Sequence, residues 1–318
     1  MRVVVALGGN AMTAADGSAR PEDQSAAIEH AANPISDLVV DGHQLVITHG
    51  NGPQVGDLLV KNDFAAHAVP RVPLDWCGAQ TQGSIGLLIL NALDGALARR
   101  GSSTRAAALI SRTLVATDDP AFRHPSKPIG RYMSEAEAQR MIAQGERWED
   151  RGPKGWRRVV PSPEPLECLD SPAALSLLEK GYVVVCSGGG GIPVAKGPGG
   201  VLRGVEAVID KDLTTSLLAV SLDAERLVIA TDVDGAVLGW GTPSAEAIRS
   251  ASVSMMRDLL EAGEFASGSM GPKVEAACRF AEATGHPAVI TSLDRIVDAL
   301  GGTCGTTISP NTEGVMHA

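Results

Sequence analysis

Three lysines of this chain stand among glycine, proline or aspartate residues, where an ammonium group could act on an anion. The sequence has 20 arginines but only seven lysines, so a lysine in such a setting is informative. Lys127 opens the segment Lys-Pro-Ile-Gly, Lys211 lies between two aspartates, and Lys273 follows Gly-Pro. A lysine ammonium is a compact point charge that neutralises phosphate oxygens. The three lysines therefore indicate a site for a phosphate-bearing ligand.

Three glycine-rich loops, each following an apolar run, could form the rest of such a site. Glycine lets backbone N–H groups approach an anion closely, and a helix that begins after the loop adds its positive end. A single loop of this kind could be only a tight turn, but three of them favour a phosphate cradle. The candidate binding residues are Gly8, Gly9 and Asn10, then Gly50, Asn51 and Gly52, and Gly189 and Gly190 within the run from 188 to 191.

Two acidic clusters accompany the lysines and the glycines. Asp210 and Asp212 flank Lys211, and the cluster could instead be only a solvated capping box, with Asp212 near the helix N-terminus. The segment Thr231-Asp232-Val233-Asp234-Gly235 ends another apolar run, where an ordinary Asp-Gly turn is the alternative. With Met270 and Lys273, this second segment is a candidate nucleotide-binding loop.

Glycine loops, lysines and aspartates together favour phosphoryl transfer. That reaction needs in-line positioning and neutralisation of the migrating group, with Mg²⁺ carried by the nucleotide, so no protein metal site is expected. The sequence contains no Gly-Lys pair for a Walker A loop and neither of the protein kinase motifs His-Arg-Asp and Asp-Phe-Gly. A dinucleotide-binding fold is the alternative, because Asp210 lies about 20 residues after the glycine run. The prolines and glycines between Pro193 and Gly204 argue against it, because they cannot form the helix which that fold requires.

The elements that must position these residues follow an alternating pattern typical of an α/β fold with a mostly parallel, buried sheet. Loops at the carboxyl ends of parallel strands face one crevice, which would bring the glycine loops together. Strands are predicted at Val3–Leu7, Leu45–Thr48, Ala106–Ile110, Tyr182–Cys186, Leu227–Thr231 and Ala288–Thr291. Helices are predicted at Gln24–Val40, Pro53–His67, Thr81–Arg100, Ser171–Lys180, Asp212–Val220 and Pro272–Thr284.

Composition limits the possible partners and cofactors. A formal net charge of −10 and a pI near 5.2 argue against nucleic acids and anionic membranes as partners. No apolar stretch approaches the ~18 residues of a membrane span, and residues 1–7 do not resemble a signal peptide, so a cytoplasmic protein is expected. The five cysteines include no C-x-x-C pair, which predicts free thiols without a zinc site.

The segment from 118 to 165 interrupts the alternating pattern. It is rich in Pro, Gly, Arg and Lys and holds four of the ten aromatic residues of the chain. We interpret it as a protruding lid subdomain, with a long surface loop as the alternative. The predicted organisation is one domain over 1–310, with an N-terminal substrate half to about 180, a C-terminal nucleotide half from about 181, and a tail at 311–318.

Taken together, these motifs closely resemble the carbamate kinases of the amino acid kinase family. The matching segments run in that family's order over almost the whole chain. They are VVALGGNA from Val4, THGNGPQVG from Thr48, AQTQGSIG from Ala79, KPIG from Lys127, GWRRVVPSP from Gly155, GGGGIPV from Gly188, GVEAVIDKDL from Gly204, TDVDG from Thr231 and GSMGPKVEAA from Gly268.

The resemblance implies an open αβα sandwich with a protruding subdomain, assembled as a homodimer. It also implies reversible transfer between ATP and carbamate, giving ADP and carbamoyl phosphate, with Mg²⁺ bound to the nucleotide. In the family the reaction often runs toward ATP, from carbamoyl phosphate that arises in arginine, agmatine or purine breakdown.

The resemblance also implies roles for individual residues. Gly8, Gly9 and Asn10 would hold the phosphoryl group, and Gly50, Asn51 and Gly52 would hold carbamate. Lys127 and Lys211 would neutralise the phosphoryl oxygens, Asp212 and also Asp210 would position the lysines, and Lys273 would contact the nucleotide phosphates. Ala6 stands where other members of the fold usually have a lysine, which Lys127 would replace. The departures from the family pattern are Trp76, Gly78 and Leu87.

Two alternatives stay open at this stage. The chain could be a kinase of the same fold that acts on another small carboxylate or carbamate. It could also be a non-catalytic sensor that binds carbamoyl phosphate or nucleotide without turnover. A panel of substrates, and a test for ADP binding without phosphate exchange, would separate the three possibilities.

Overall fold

The apolar β-branched runs of the sequence form the strands of one large sheet. The structure is a computed structural model that describes residues 1–12, 20–266, 268–310 and 316–317. In these ranges the strands are β1 Arg2–Leu7, β2 Gln44–His49, β3 Ala106–Ala108, β4 Arg112–Leu114, β5 Lys127–Met133, β6 Trp148–Asp150, β7 Trp156–Val160, β8 Glu167–Cys168, β9 Val183–Val185, β10 Ile192–Lys196, β11 Leu202–Gly204, β12 Arg226–Thr231, β13 Val237–Leu238, β14 Glu246–Ser252, β15 Ala288–Ser292, β16 Thr306–Ser309 and β17 Met316–His317.

The helices alternate with the strands of the large sheet. In the same ranges they are α1 Pro21–Val40, α2 Gly52–Ala65, α3 Leu74–Arg99, α4 Glu135–Ile142, α5 Ser171–Glu179, α6 Lys211–Ser221, α7 Val253–Glu261, α8 Met270–Thr284 and α9 Ile296–Leu300. All six helices and all six strands predicted from the sequence are present, with shifted ends. The extra elements are short or lie in the predicted lid and the C-terminal part of the chain.

The large sheet has ten strands, in the order β13-β14-β16-β15-β12-β1-β2-β9-β3, with β17 beside β14. From β15 to β3 every neighbouring pair is parallel, so these strands end on the same edge of the sheet. Among the described strands of this sheet, the antiparallel pairs are β13–β14, β14–β17 and β15–β16. The sheet is therefore mostly parallel, as the sequence predicted.

Helices cover both faces of this sheet. One core cluster joins α5, α6 and α8 to residues such as Val4 and Ile229, which point to one face. The other joins α1, α3 and α9 to residues such as Val5 and Val228, which point to the opposite face. Successive residues of a strand face opposite sides of the sheet, so a fully apolar strand is buried on both faces. This arrangement confirms the predicted αβα sandwich.

Part of the segment from 118 to 165 forms a small sheet of its own, with the antiparallel order β5-β7-β6. Helix α4 packs on it and begins with a capping box, in which Ser134 and Glu137 exchange hydrogen bonds. Lys127 is the first residue of β5. This small sheet, residues 127–160, is called the lid sheet below.

Two helices begin three or more residues earlier than the sequence predicted. Helix α1 starts at Pro21, because proline fits a first helical turn and needs no hydrogen-bond partner there. Helix α3 starts at Leu74 instead of Thr81, although Gly78, Gly83 and Gly86 lower its helix propensity. At Gly86 an added Cβ would lie 3.0 Å from the Cβ of Ala108, so the small residue lets α3 pack closely on the sheet.

No described helix is both long and apolar enough to span a bilayer. The longest, α3, is 26 residues long but carries charged residues at both ends and exposes polar side chains along its length.

Candidate active site

Two of the predicted glycine loops meet where β1, β2 and β12 end. The Gly8 amide donates a hydrogen bond to the Ala230 carbonyl at 3.0 Å, and the Gly50 amide donates to the Leu7 carbonyl at 3.1 Å. A Cβ on Gly50 would lie 3.2 Å from the Gly9 nitrogen, so a larger residue would push the two loops apart by a few tenths of an ångström. The side chain of Asn10 lies outside the described residues.

The third loop, residues 188–191 after β9, closes against the second. Gly189 has a φ of +67°, and a Cβ there would lie 2.1 Å from the Asn51 amide nitrogen. Gly190 has a φ of +89°, and its carbonyl accepts hydrogen bonds from the hydroxyls of Thr113 and Thr214 at 2.9 and 3.0 Å. Sterics and positive φ both require glycine at position 189.

Gln82 of α3 fastens this third loop, a role that we did not predict. Its side-chain nitrogen donates to the carbonyls of Gly188 and Ser111 at 2.9 and 3.1 Å, and its side-chain oxygen accepts from the Ser111 amide at 2.8 Å. The residue is buried. One residue earlier, Thr81 accepts a hydrogen bond from the Asn51 side chain at 2.9 Å. Both residues lie in the segment AQTQGSIG, which resembles the carbamate kinases and could have indicated that they have a role.

The acidic residue Asp212 joins two of the predicted lysines. One carboxylate oxygen accepts a hydrogen bond from Lys211 at 2.5 Å, and the other accepts from Lys273 at 3.3 Å. Asp212 is 5% exposed. Burial alone would raise the pKa of this carboxyl, but the charges and hydrogen bonds of the two ammonium groups outweigh burial and hold the pKa below its ordinary value. Asp212 is therefore an ionised bridge that fixes both lysines.

Asp210 holds the third lysine and caps helix α6. Lys127 of the lid sheet reaches one carboxylate oxygen of Asp210 at 2.9 Å. The other oxygen accepts from the amides of Asp212 and Leu213, at 2.9 and 3.3 Å. The residue that caps the helix is therefore Asp210 and not Asp212, which the capping alternative had placed there, and the cap coexists with the lysine contact. The lid sheet is tied to the main domain through this ion pair.

His49 lies buried under the loops and remains neutral near pH 7. Burial lowers its pKa to about 4, helped by the nearby charge of Lys211 and opposed by the hydrogen bond to the Gly50 carbonyl. The distance from Nδ1 to that carbonyl oxygen is 2.8 Å, so Nδ1 carries the proton and donates. A neutral imidazole adds no charge to the site.

Three clefts surround these groups. The inner cleft is enclosed by the glycine loops, the first turn of α2 and the lid sheet, and its lining includes Gly50, Asn51, Gly52, Lys127, Gly189 and Lys211. The strand-end cleft is lined by Gly8, Gly9, Thr231, Asp232, Ser269 and Lys273, among others. The hairpin cleft, beside the β13–β14 hairpin, is lined by Thr231, Val233, Val237, Trp240, Phe265 and Met270, among others.

The predicted nucleotide residues are divided between these clefts, with one exception. Thr231 and Asp232 line both the strand-end and the hairpin cleft, and Val233 and Met270 line the hairpin cleft. Asp234 lines none of the three described clefts. It accepts hydrogen bonds from Ser292 at 2.6 Å and Arg295 at 3.3 Å, so its carboxylate holds neighbouring loops together.

The strand-end cleft suits the phosphates and Mg²⁺ of a nucleotide. Magnesium binds through one or two carboxylates together with phosphates and retained waters. The carboxylate residues Asp232 and Asp294 line this cleft together with Lys273 and the glycines Gly8 and Gly9. Among the described residues, no group of three or more His, Cys, Asp or Glu side chains could hold a metal by itself. The lining thus fits a metal that is carried in on a nucleotide.

Comparisons with known proteins agree with this geometry. The sequence model of the amino acid kinase family matches residues 1–292. Carbamate kinase from Thermococcus kodakarensis is 45% identical over 313 residues, covering 96% of this chain and 98% of that protein. Carbamate kinase from Trichomonas vaginalis is 44% identical over 317 residues, covering 98% and 100%. The structure of carbamate kinase from Giardia lamblia bound to AMP-PNP has a TM-score of 0.91 at 41% identity, covering 97% and 98%.

Proposed function

This chain belongs to the amino acid kinase family, and we propose that it is a carbamate kinase that catalyses ATP + carbamate ⇌ ADP + carbamoyl phosphate. Relatives named carbamate kinase match it at 40–45% identity over nearly their full length, which supports a phosphotransferase of this specificity. The single observation that carries the proposal is the Asp212 bridge. It joins Lys211, which lines the inner cleft, to Lys273, which lines the strand-end cleft.

Because the bridge joins the clefts, each cleft can be assigned one of the two substrates. The strand-end and hairpin clefts share Thr231 and Asp232 in their linings, and together they can hold the phosphates and the base of a nucleotide. The inner cleft can hold a small anion at the glycine loops and the first turn of α2, whose N–H groups and dipole favour negative charge. The phosphoryl group would pass from one cleft to the other past Lys211.

In the forward direction, a carboxylate oxygen of carbamate attacks the γ-phosphorus, the new O–P bond forms, and the bond to the ADP oxygen breaks. Lys127, Lys211 and Lys273 would neutralise charge on the transferred group and on the leaving oxygen. Asp210 and Asp212 would keep the lysines in place. Of the glycine amides, that of Gly9 would reach the phosphoryl oxygens, because the amides of Gly8, Gly190 and Gly191 already donate to backbone carbonyls. Bound Mg²⁺ would supply further charge neutralisation at the nucleotide phosphates.

Further assignments belong to this proposal. Gly50, Asn51 and Gly52 hold the carbamate end, and Gly189 and Gly190 shape the same cleft. Thr231, Asp232, Val233 and Met270 contact the nucleotide. The lid sheet delivers Lys127, and residues 1–310 act as one catalytic domain. A homodimer in the cytoplasm and the Mg²⁺ requirement are proposed from the resemblance.

The test is a substrate panel with purified protein. Mg-ADP would be offered carbamoyl phosphate, acetyl phosphate and other acyl phosphates, and Mg-ATP would be offered carbamate, UMP and acetylglutamate. We expect turnover with the carbamate pair and at most weak turnover with the others. Lys211→Ala should lower kcat by about 10² to 10³. Preferential turnover of another pair, or full activity of Lys211→Ala, would overturn the proposal.

A further inference from the structure

Arg157 is a lid residue that the assignments above leave unused, although it lines the inner cleft beside Lys127 and Gly52. It lies in β7, next to the strand that carries Lys127, and is partly buried. The same side chain lines a second groove, formed with Arg20, Arg131 and the helix α2, which also includes the carboxylate of Asp57. Arg157 thus stands at the junction between the inner cleft and an arginine-rich groove.

The orientation of the Arg157 side chain is fixed in two ways. Its Nε donates a hydrogen bond to the Gly130 carbonyl at 3.1 Å, and Gly130 needs its φ of +68° to present that carbonyl. The guanidinium carbon lies 5.1 Å from the centre of the Tyr132 ring, within cation–π range. A guanidinium that is already oriented loses little conformational freedom when it binds an anion.

The two terminal nitrogens of Arg157 remain available. Throughout the described ranges, no carboxylate forms an ion pair with Arg157, and its only hydrogen bond is the one from Nε. The next residue differs, because Arg158 forms ion pairs with Glu146 at 3.6 Å and Glu206 at 3.9 Å. Two adjacent arginines therefore have different environments. One belongs to an ion-pair network, and the other lines a cleft without a counter-ion.

The charge of the site also calls for a further cation. The two lysines that line the inner cleft, Lys127 and Lys211, are each paired with an aspartate, and His49 is neutral with its pKa of about 4. A phosphate group carries close to two negative charges near pH 7. Arg157 would add to the inner cleft one positive charge that no carboxylate among the described residues pairs with. Its planar fork also matches a carboxylate or phosphate with two parallel hydrogen bonds.

We propose that Arg157 is a substrate-contact residue, whose terminal nitrogens bind the oxygens of the acceptor-side anion in the inner cleft. That anion is carbamate in one direction and carbamoyl phosphate in the other, so the inference rests on the proposed function.

The experiment measures ATP synthesis from carbamoyl phosphate and Mg-ADP, with the KM of each substrate and kcat determined separately. Arg157→Gln removes the charge but keeps a donor for the Gly130 carbonyl, and Arg157→Ala removes both. Loss of charge-assisted hydrogen bonds should raise the KM for carbamoyl phosphate by about 10- to 100-fold in both variants. The KM for ADP should change by less than about twofold, since ADP binds in the other clefts. Arg157→Lys should be intermediate, because it keeps charge but not the fork.

Arg158→Ala is the matched control. It removes an adjacent arginine that is ion-paired in the lid sheet, so it should leave the KM for carbamoyl phosphate unchanged within about twofold. Thermal unfolding monitored by circular dichroism checks that every variant is folded. If Arg157→Ala does not fold, the KM of Arg157→Gln for carbamoyl phosphate tests the inference.

The possible outcomes distinguish a failure of the inference about Arg157 from a failure of the proposed function. An active wild type with an unchanged KM for carbamoyl phosphate in Arg157→Gln would overturn the inference alone. A fall in kcat with unchanged KM, or equal increases in both KM values, would show that Arg157 only positions the lid, and would also overturn it. A wild type that makes no ATP from carbamoyl phosphate would overturn the proposed function and the inference together.

Discussion

Replacing Lys127 by alanine should nearly abolish catalysis while leaving the fold almost unchanged. The ammonium of Lys127 reaches the site from the lid sheet and contacts Asp210 at 2.9 Å. Alanine removes this charge, but Asp210 keeps its hydrogen bonds with the amides of Asp212 and Leu213. The cap of helix α6 should therefore remain intact.

The two expected effects differ greatly in size. The side chains of Lys127 and Asp210 are 29% and 21% exposed, so solvent screens their ion pair and its loss should cost less than about 1 kcal/mol of stability. The transition state is more sensitive, because loss of one charge-stabilising donor typically lowers kcat by about 10² to 10³. This corresponds to about 3 to 4 kcal/mol of transition-state stabilisation.

The assay compares kcat for ATP formation with the midpoint of thermal unfolding, for wild type, Lys127→Ala and Lys154→Ala. Lys154 is an exposed lysine of the same lid sheet and lines none of the described clefts, so its replacement should change neither quantity. A kcat for Lys127→Ala within about threefold of wild type would refute the role of Lys127. A large drop in the unfolding midpoint would show instead that the lysine acts by holding the lid sheet in place.

Three further predictions concern the glycine loops, the hairpin cleft and the buried histidine. Gly189→Ala should lose activity and stability, because its Cβ would lie 2.1 Å from the Asn51 side chain. The control Gly199→Ala has a similar φ of +74° and open space around the new Cβ, so urea unfolding should show only the backbone cost of about 1 to 2 kcal/mol. Mg-ADP should change the fluorescence of Trp240, which is 68% exposed at the hairpin cleft, because the indole can stack on the base. Trp240→Ala should therefore raise the Kd for ADP by at least about fivefold without affecting the KM for carbamoyl phosphate. The pKa of His49 is about 4 in the folded protein and 6.5 ordinarily, so below pH 6.5 the unfolded chain binds a proton that the folded chain excludes, and the stability falls toward pH 4. In urea titrations between pH 6.5 and pH 4, the free energy of unfolding of His49→Gln should decline by up to about 3 kcal/mol less than that of the wild type. Equal declines would contradict this prediction.

The central part of the fold could be predicted because its signals are local. The strands β1, β2, β12 and β15 are apolar, β-branched runs buried on both faces, and alternation with helices implies a parallel sheet. Strands such as β4 and β8 have only three and two residues and are defined by partners elsewhere in the chain. No periodicity can be detected over so few residues.

The residues of the candidate site were predictable as types, but their partners were not. Glycines after strands and lysines beside aspartates are visible in the sequence, and the parallel sheet explains why they meet. The ion pair between Lys127 and Asp210 spans 83 positions, and the contact of Gln82 with Gly188 spans 106. Such pairings depend on tertiary packing. For the same reason the sequence could not show that Asp234 points to Ser292 and Arg295 instead of a cleft.

The central claim is that one phosphoryl group passes between the inner cleft and the nucleotide clefts. Phosphorus NMR of the wild-type protein with carbamoyl phosphate and Mg-ADP follows that transfer directly. The account predicts that the carbamoyl phosphate signal declines while the β- and γ-phosphorus signals of ATP grow in equal amount, with little free phosphate. Conversion of carbamoyl phosphate to free phosphate alone, or no change while ADP binding still alters the fluorescence of Trp240, would contradict it.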